Sequence, residues 1–172
     1  MLTATYSIVT ISTEQKNVRG ILFRLQQAIE NAWNSFKNVD LSSMVLTLEK
    51  LAHFDHYCHS RKVELYVIPA VRGVSREIDA LIAELESLSL RGLQILKSLQ
   101  QQVRLAVEKG TVELAALHVS MDHYCRNQME MLAKEETELM PMVGRALTGD
   151  AWFSIATQLL SDDESAKVVK RP

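Results

Sequence analysis

Apolar residues recur every three or four positions along most of this chain, the spacing of an amphipathic helix. Val18, Leu22, Leu25, Ile29 and Ala32 predict a first helix, entered through Ser12 or Thr13 as cap with Glu14 in its first turn, and ending near Lys37. Residues 1–11 are apolar and β-branched and read as an extended lead-in. Asp40 is a suitable N-cap for a second helix that Pro69 would stop. Ile78, Leu81, Ile82, Leu85, Leu88, Ile95, Leu99 and Val103 mark a third helix over 74–108, with a weak place at Gly92, and Gly110 ends it. A fourth runs from Thr111 to Met140 before Pro141, and Asp150 caps a short last helix to Leu160. Long helices with short connections predict an all-α, up-down-up-down four-helix bundle in a single domain spanning 1–172, with its core over about 12–143 and an extra helix over about 150–160.

The pattern repeats. KVELYVIPAV at 62–71 and KEETELMPMV at 134–143 share Lys62/Lys134, Glu64/Glu136, Pro69/Pro141 and Val71/Val143 at an offset of 72. The same offset relates EQKNVRG at 14–20 to ESLSLRG at 86–92. Two helical hairpins related by a pseudo-twofold axis would hold Glu64 and Glu136 at the same height. Steps of three and four from Glu136 give His118, Met121, Cys125, Met129, Leu132, Leu139 and Val143, an apolar stripe interrupted by one carboxylate. An ionised carboxylate in such a stripe needs a partner, a proton or a metal. The matching face of the second helix is more polar, with His53, Tyr57, Ser60 and Glu64, and Gln15 opens the stripe of the first. Gln15, Tyr57, Ser60, Glu64 and Glu136 are therefore expected in one interior layer.

At this point the chain resembles the hemerythrin-like, or HHE cation-binding, family over about residues 12–143. EQKNVRGILFRL at 14–25 is similar to that family's first helical segment. The stretches around Glu64–Pro69 and Glu136–Pro141 are similar to its HxxxE segments. The resemblance implies a four-helix bundle holding a non-haem di-iron centre, with Glu64 and Glu136 as metal ligands and a role in O2 or NO binding, sensing or iron handling. The chain departs from the pattern at the histidines. Gln15, Ser60, Ser87 (or Leu88) and Leu132 stand where they would fall. Imidazoles supply much of the affinity of such sites, so the usual centre is expected to be absent or altered. His53, His56 and His59 are candidate ligands for a shifted site, although their spacing spirals around a helix.

Composition narrows the alternatives. A net charge of −2 gives no electrostatic reason to expect nucleic acid or an anionic membrane as partner. No apolar run is long enough to span a bilayer and the N-terminus does not read as a signal peptide, so a cytoplasmic location is expected. Cys58 and Cys125 lack CxxC spacing and read as a reduced, buried pair. No Glu is followed by His three residues later, and no P-loop or nucleophile elbow is present, so an enzyme is not expected. The apolar segment YSIVTI and an exposed Trp152 and Phe153 would suit a homodimer interface. Two functional readings remain open. One is a divergent iron, cation, O2 or NO module with an altered site. The other is a metal-free helical module in which a hydrogen-bonded network of Gln15, Tyr57, Ser60 and the two glutamates replaces the metal.

Overall fold

The computed structural model describes residues 2–34, 40–109 and 113–169, and side chains from residue 3 to residue 163 within those ranges. Among them the fold is all-helical, with no strand. The long helices are α1 (Leu2–Asn34), α2 (Leu41–Cys58), α4 (Arg76–Lys109), α5 (Leu114–Lys134) and α7 (Gly149–Val169). Between them lie two π-helical turns, π1 (Val63–Val67) and π2 (Glu135–Leu139), and two short helices, α3 (Ile68–Val71) and α6 (Met140–Ala146). Helix α1 packs on α2, α5 and α7, α2 packs on α4, and α4 packs on α5. The expected helix ends at Lys37 and Gly110, and the start at Thr111, lie outside the described residues.

The first eleven residues are the largest departure from the sequence expectation. From Leu2 onward they are helix rather than extended chain, continuous with the rest of α1. Weak helix formers such as Ile, Val and Thr give up a few tenths of a kcal/mol each in a helix, which packing readily overrides. Ile11 is fully buried in a cluster with Trp152, Ile155 and Leu159 of α7. Tyr6 donates a hydrogen bond to Asp163 Oδ2 at 3.5 Å. Helix α7 continues well past Leu160. Thr148, not Asp150, meets its first turn, with Oγ1 accepting from Ala151 N at 3.4 Å. Trp152 belongs to this core, whereas its neighbour Phe153 is exposed.

The prolines do not stop their helices. Asp40 caps α2 as expected, its Oδ1 accepting from Ser43 N at 2.8 Å. The helix then ends at Cys58 and reopens as π1, and Pro69 opens α3 behind it. Pro141 holds the same place behind π2, in α6. A proline lacks its N–H and its ring collides with the carbonyl four residues earlier. Those carbonyls belong to Leu65 and Thr137, each inside a π turn. The wide turn relieves the same obstruction in both halves, which is why the repeated sequence yields repeated π geometry.

Two apolar clusters form the core. One gathers Ile11, Val63, Leu88, Met131 and Leu139 with α7. The other gathers Val18, Cys58, Leu96, Tyr124, Cys125 and Leu132. Between residues of the two clusters stand Gln15 (after Ile11 and before Val18), Arg61 (between Cys58 and Val63), Gly92 (between Leu88 and Leu96) and Gln128 (between Cys125 and Met131). A polar layer therefore divides the core at one height.

Gly73, in the turn before α4, has φ of +82°, and a Cβ there would meet nothing within 4 Å. Gly73→Ala should therefore cost about 1–2 kcal/mol through backbone strain alone. Chemical denaturation of the variant, with a circular dichroism spectrum unchanged from that of the parent, checks this.

Candidate functional site

The polar layer is built where α2 ends. The last carbonyls of a helix have no partner of their own. Arg61 turns its Nε–H back onto Cys58 O at 3.1 Å, and Ser60 Oγ donates to Tyr57 O at 2.9 Å. The N–H of Lys62 is taken by Glu14 Oε2 of α1 at 2.7 Å. The break thus aims the Arg61 guanidinium into the interior, where it is fully buried.

Its partner is Glu135, the first residue of π2, which is also fully buried. Arg61 Nη1 donates to Glu135 Oε2 at 2.7 Å and Nη2 donates to Oε1 at 2.6 Å. This parallel two-bond geometry is the strongest form of a carboxylate–guanidinium pair. Burial alone would pull the Arg61 pKa down. The hydrogen bonds and charge of Glu135 more than reverse that, so the net shift is upward.

Beside the pair lies a second buried group. Tyr124 Oη donates to Asp55 Oδ1 at 2.9 Å, and Gln128 Nε2 donates to both the Asp55 oxygen and the Tyr124 oxygen at 2.9 Å. Burial first, then the Asp55 charge, pushes the Tyr124 pKa up, so the phenol stays a hydrogen-bond donor. Asn127 Nδ2 donates to Leu88 O of α4 at 2.8 Å. Gly92 gives these amides room. A Cβ there would lie 2.9 Å from Gln128 Nε2 and 3.2 Å from Asn127 Nδ2. The expected weak point of α4 is thus a point of close approach in an unbroken helix.

Of the residues singled out from sequence, Gln15 lies in this layer and the others are distributed around it. Gln15 is buried, with its Nε2 unpartnered among the described residues. Tyr57 and Ser60 are exposed, so they do not join Gln15 in an interior network. Glu64 and Glu136 flank the core, with side chains 30% and 40% exposed. Glu136 pairs with Arg19 of α1. Glu64 has the Arg61 guanidinium at 3.8 Å. His53, His56 and His59 are all exposed, and only His59 approaches the layer, 3.6 Å from Asp55. The interior carboxylate is Glu135, one residue before the one that the repeat marks. A π turn shifts the inward positions of an α-helical stripe, and here it turns Glu135 and Leu139 inward. Arg61, Asp55, Tyr124, Gln128 and Glu135 were not singled out in the sequence. Only Asp55 and Tyr124 carried a signal, the segment DHYC that occurs at 55–58 and again at 122–125, since Asp55 of the first copy bonds Tyr124 of the second.

The donor set can be tested against the di-iron centre that the resemblance implies. Both Glu135 oxygens are held by a guanidinium, and no histidine reaches them. Among the described residues no group of three or more His, Cys, Asp or Glu side chains is placed to hold a metal ion. A buried cation at this point would meet the Arg61 charge at contact distance. The residues present do not fit an iron centre. Nor is either thiol poised for chemistry, since burial pushes Cys58 and Cys125 up to about 12.

No protein-family model, no curated protein and no solved structure matches this chain.

Removing one partner of a buried ion pair leaves an uncompensated charge and costs about 3–5 kcal/mol, while replacing both with apolar groups is often neutral or better. Glu135→Leu should therefore lose about that much in urea unfolding, and Glu135→Leu with Arg61→Met should recover most of it. A double variant no more stable than the single one would contradict the pair's role.

Burial, followed by the charge of Glu135, raises the Glu64 carboxyl above its ordinary 4.5, with Arg61 opposing both. The folded chain then binds this proton more tightly than the unfolded chain. The resulting stability is fully present below the unfolded value and is lost as pH rises through the folded one. Glu64→Gln should melt at a higher temperature than the parent at neutral pH, and the difference should close as pH falls towards 4.5. Paired thermal melts across that range give the comparison.

Proposed function

We propose that this chain is a metal-free relative of the hemerythrin-like bundles, a helical structural and interaction module whose central cation is the guanidinium of Arg61. One observation carries the reading. A fully buried arginine holds both oxygens of the interior carboxylate, in the layer where the family's sequence pattern would put its metal ligands. A divalent ion at Glu135 would have to displace the Arg61 guanidinium from both carboxylate oxygens.

The neighbour relations favour the same ancestry. Helices α1, α2, α4 and α5 touch in a closed ring, α1 to α2, α2 to α4, α4 to α5 and α5 to α1, as an up-down-up-down bundle requires. In this reading α7 is an addition that covers the N-terminal half of α1. Two free, buried cysteines suit the reducing cytoplasm expected from the sequence. Among the described residues no helix is long and apolar enough to cross a membrane. A protein surface, or a second copy of the chain, is the class of partner this reading implies.

A metal that binds only the folded state raises its melting temperature. Protein expressed with iron and reloaded anaerobically should melt at the temperature of the chelator-treated sample, and should lack the visible absorption of an oxo-bridged iron pair. A rise of several degrees on loading, accompanied by stoichiometric iron, would overturn the metal-free reading in favour of the iron module.

A further inference from the structure

Glu64 is left without what Glu135 has. Its carboxylate accepts no hydrogen bond among the described residues, and the nearest cation, Arg61 at 3.8 Å, is committed to Glu135 through both Nη groups. It lines a solvent-open cleft of about 280 Å³ between π1 and α4. Ile68 and the α4 residues Leu85, Leu90 and Leu93 supply the apolar part of its lining, and His59, Glu86 and Ser89 the rest of the polar part. Glu86 is already bound to Arg72, its Oε1 accepting from Nη2 at 2.6 Å. Glu64 is thus the under-neutralised group in the cleft, set beside a surface suited to a hydrocarbon stem.

We propose that the cleft between π1 and α4 is a binding site for a small aliphatic primary amine, with its ammonium on Glu64 and its stem against Leu85, Leu90 and Leu93. A primary ammonium offers three N–H donors from one atom, which suits a carboxylate short of hydrogen bonds. Its charge is compact enough to leave the Arg61–Glu135 pair in place. A divalent metal is a poor fit, because no set of three ligating side chains converges among the described residues. The volume lies just under the usual range for small-molecule pockets, so the ligand is a short-chain amine. Burial and the Glu135 charge also raise the Glu64 pKa, as expected of a carboxylate lacking a counter-ion.

This inference rests on Arg61 being the resident cation at Glu135. The test is a titration of isotopically labelled full-length protein with n-butylammonium chloride in mildly alkaline buffer, followed by amide chemical shifts. 1-Butanol serves as the neutral comparator of equal size. Saturable shifts at Leu90 and Leu93 are expected, with a dissociation constant on the order of 1 mM for so small a ligand. Glu64→Gln should weaken binding by about tenfold or more, the value of a charge-assisted hydrogen bond. Absence of saturable shifts overturns the amine site, as does equal binding of 1-butanol or full binding by Glu64→Gln. The Arg61 Nε–H resonance is recorded in every arm. If it is present and unmoved, a flat titration overturns the amine site alone and leaves the Arg61 centre standing.

Discussion

The fold turns on one buried ion pair. Arg61 and Glu135 are both withdrawn completely from water, and each would be prohibitively costly there without the other. Several features that look unrelated in sequence converge on this pair and on the polar groups beside it. Helix α2 ends at Cys58, where Arg61 turns inward and its Nε–H bonds the Cys58 carbonyl. Helix α5 must widen at π2, so that Glu135 rather than Glu136 faces the core. Glu14 must reach across from α1 to satisfy the N–H that the break exposes. Gly92 must lack a side chain, so that α4 can approach the amides of α5.

An ion pair of this kind is weak evidence for stability, because desolvation consumes most of what attraction returns. Its stronger effect is on arrangement. Above and below the layer the core is apolar, and apolar contact has no directional requirement of its own. A helix displaced by one turn would set a guanidinium or carboxylate against leucines. The Asp55–Tyr124–Gln128 group adds a further directional constraint beside it.

The sequence was legible where periodicity met packing. Ile78, Leu81, Ile82, Leu85, Leu88, Leu99 and Val103 all lie in the core on α4, and Asp40 caps α2 as its chemistry requires. Legibility failed where tertiary contact overrode local preference. Tyr6 to Ile11 carry β-branched residues that favour an extended chain, yet α7 offers them a helical dock. At the site, a fixed 3.6-residue step carried Glu136 inward on paper, while two prolines had already forced wider turns. Arg61 gave no signal at all, because an arginine beside Ser60 and Lys62 reads as surface until the helix break is known. His53, His56 and His59 drew attention by number, but their spiral leaves them outside, as that spacing foretold.

The two halves of the chain still match at Glu64 and Glu136, at both prolines and at both π turns. The centre itself does not match. In the other half, Ala133 stands at the position equivalent to Arg61 and Val63 at the position equivalent to Glu135. A duplicated metal site can be built from like contributions, because one ion accepts the same ligand from each side. A cation–anion pair cannot, since each half must supply the opposite sign. At the centre, the two halves are therefore complementary instead of equivalent. Neither half could be exchanged for a second copy of the other without placing two like charges at the middle of the core.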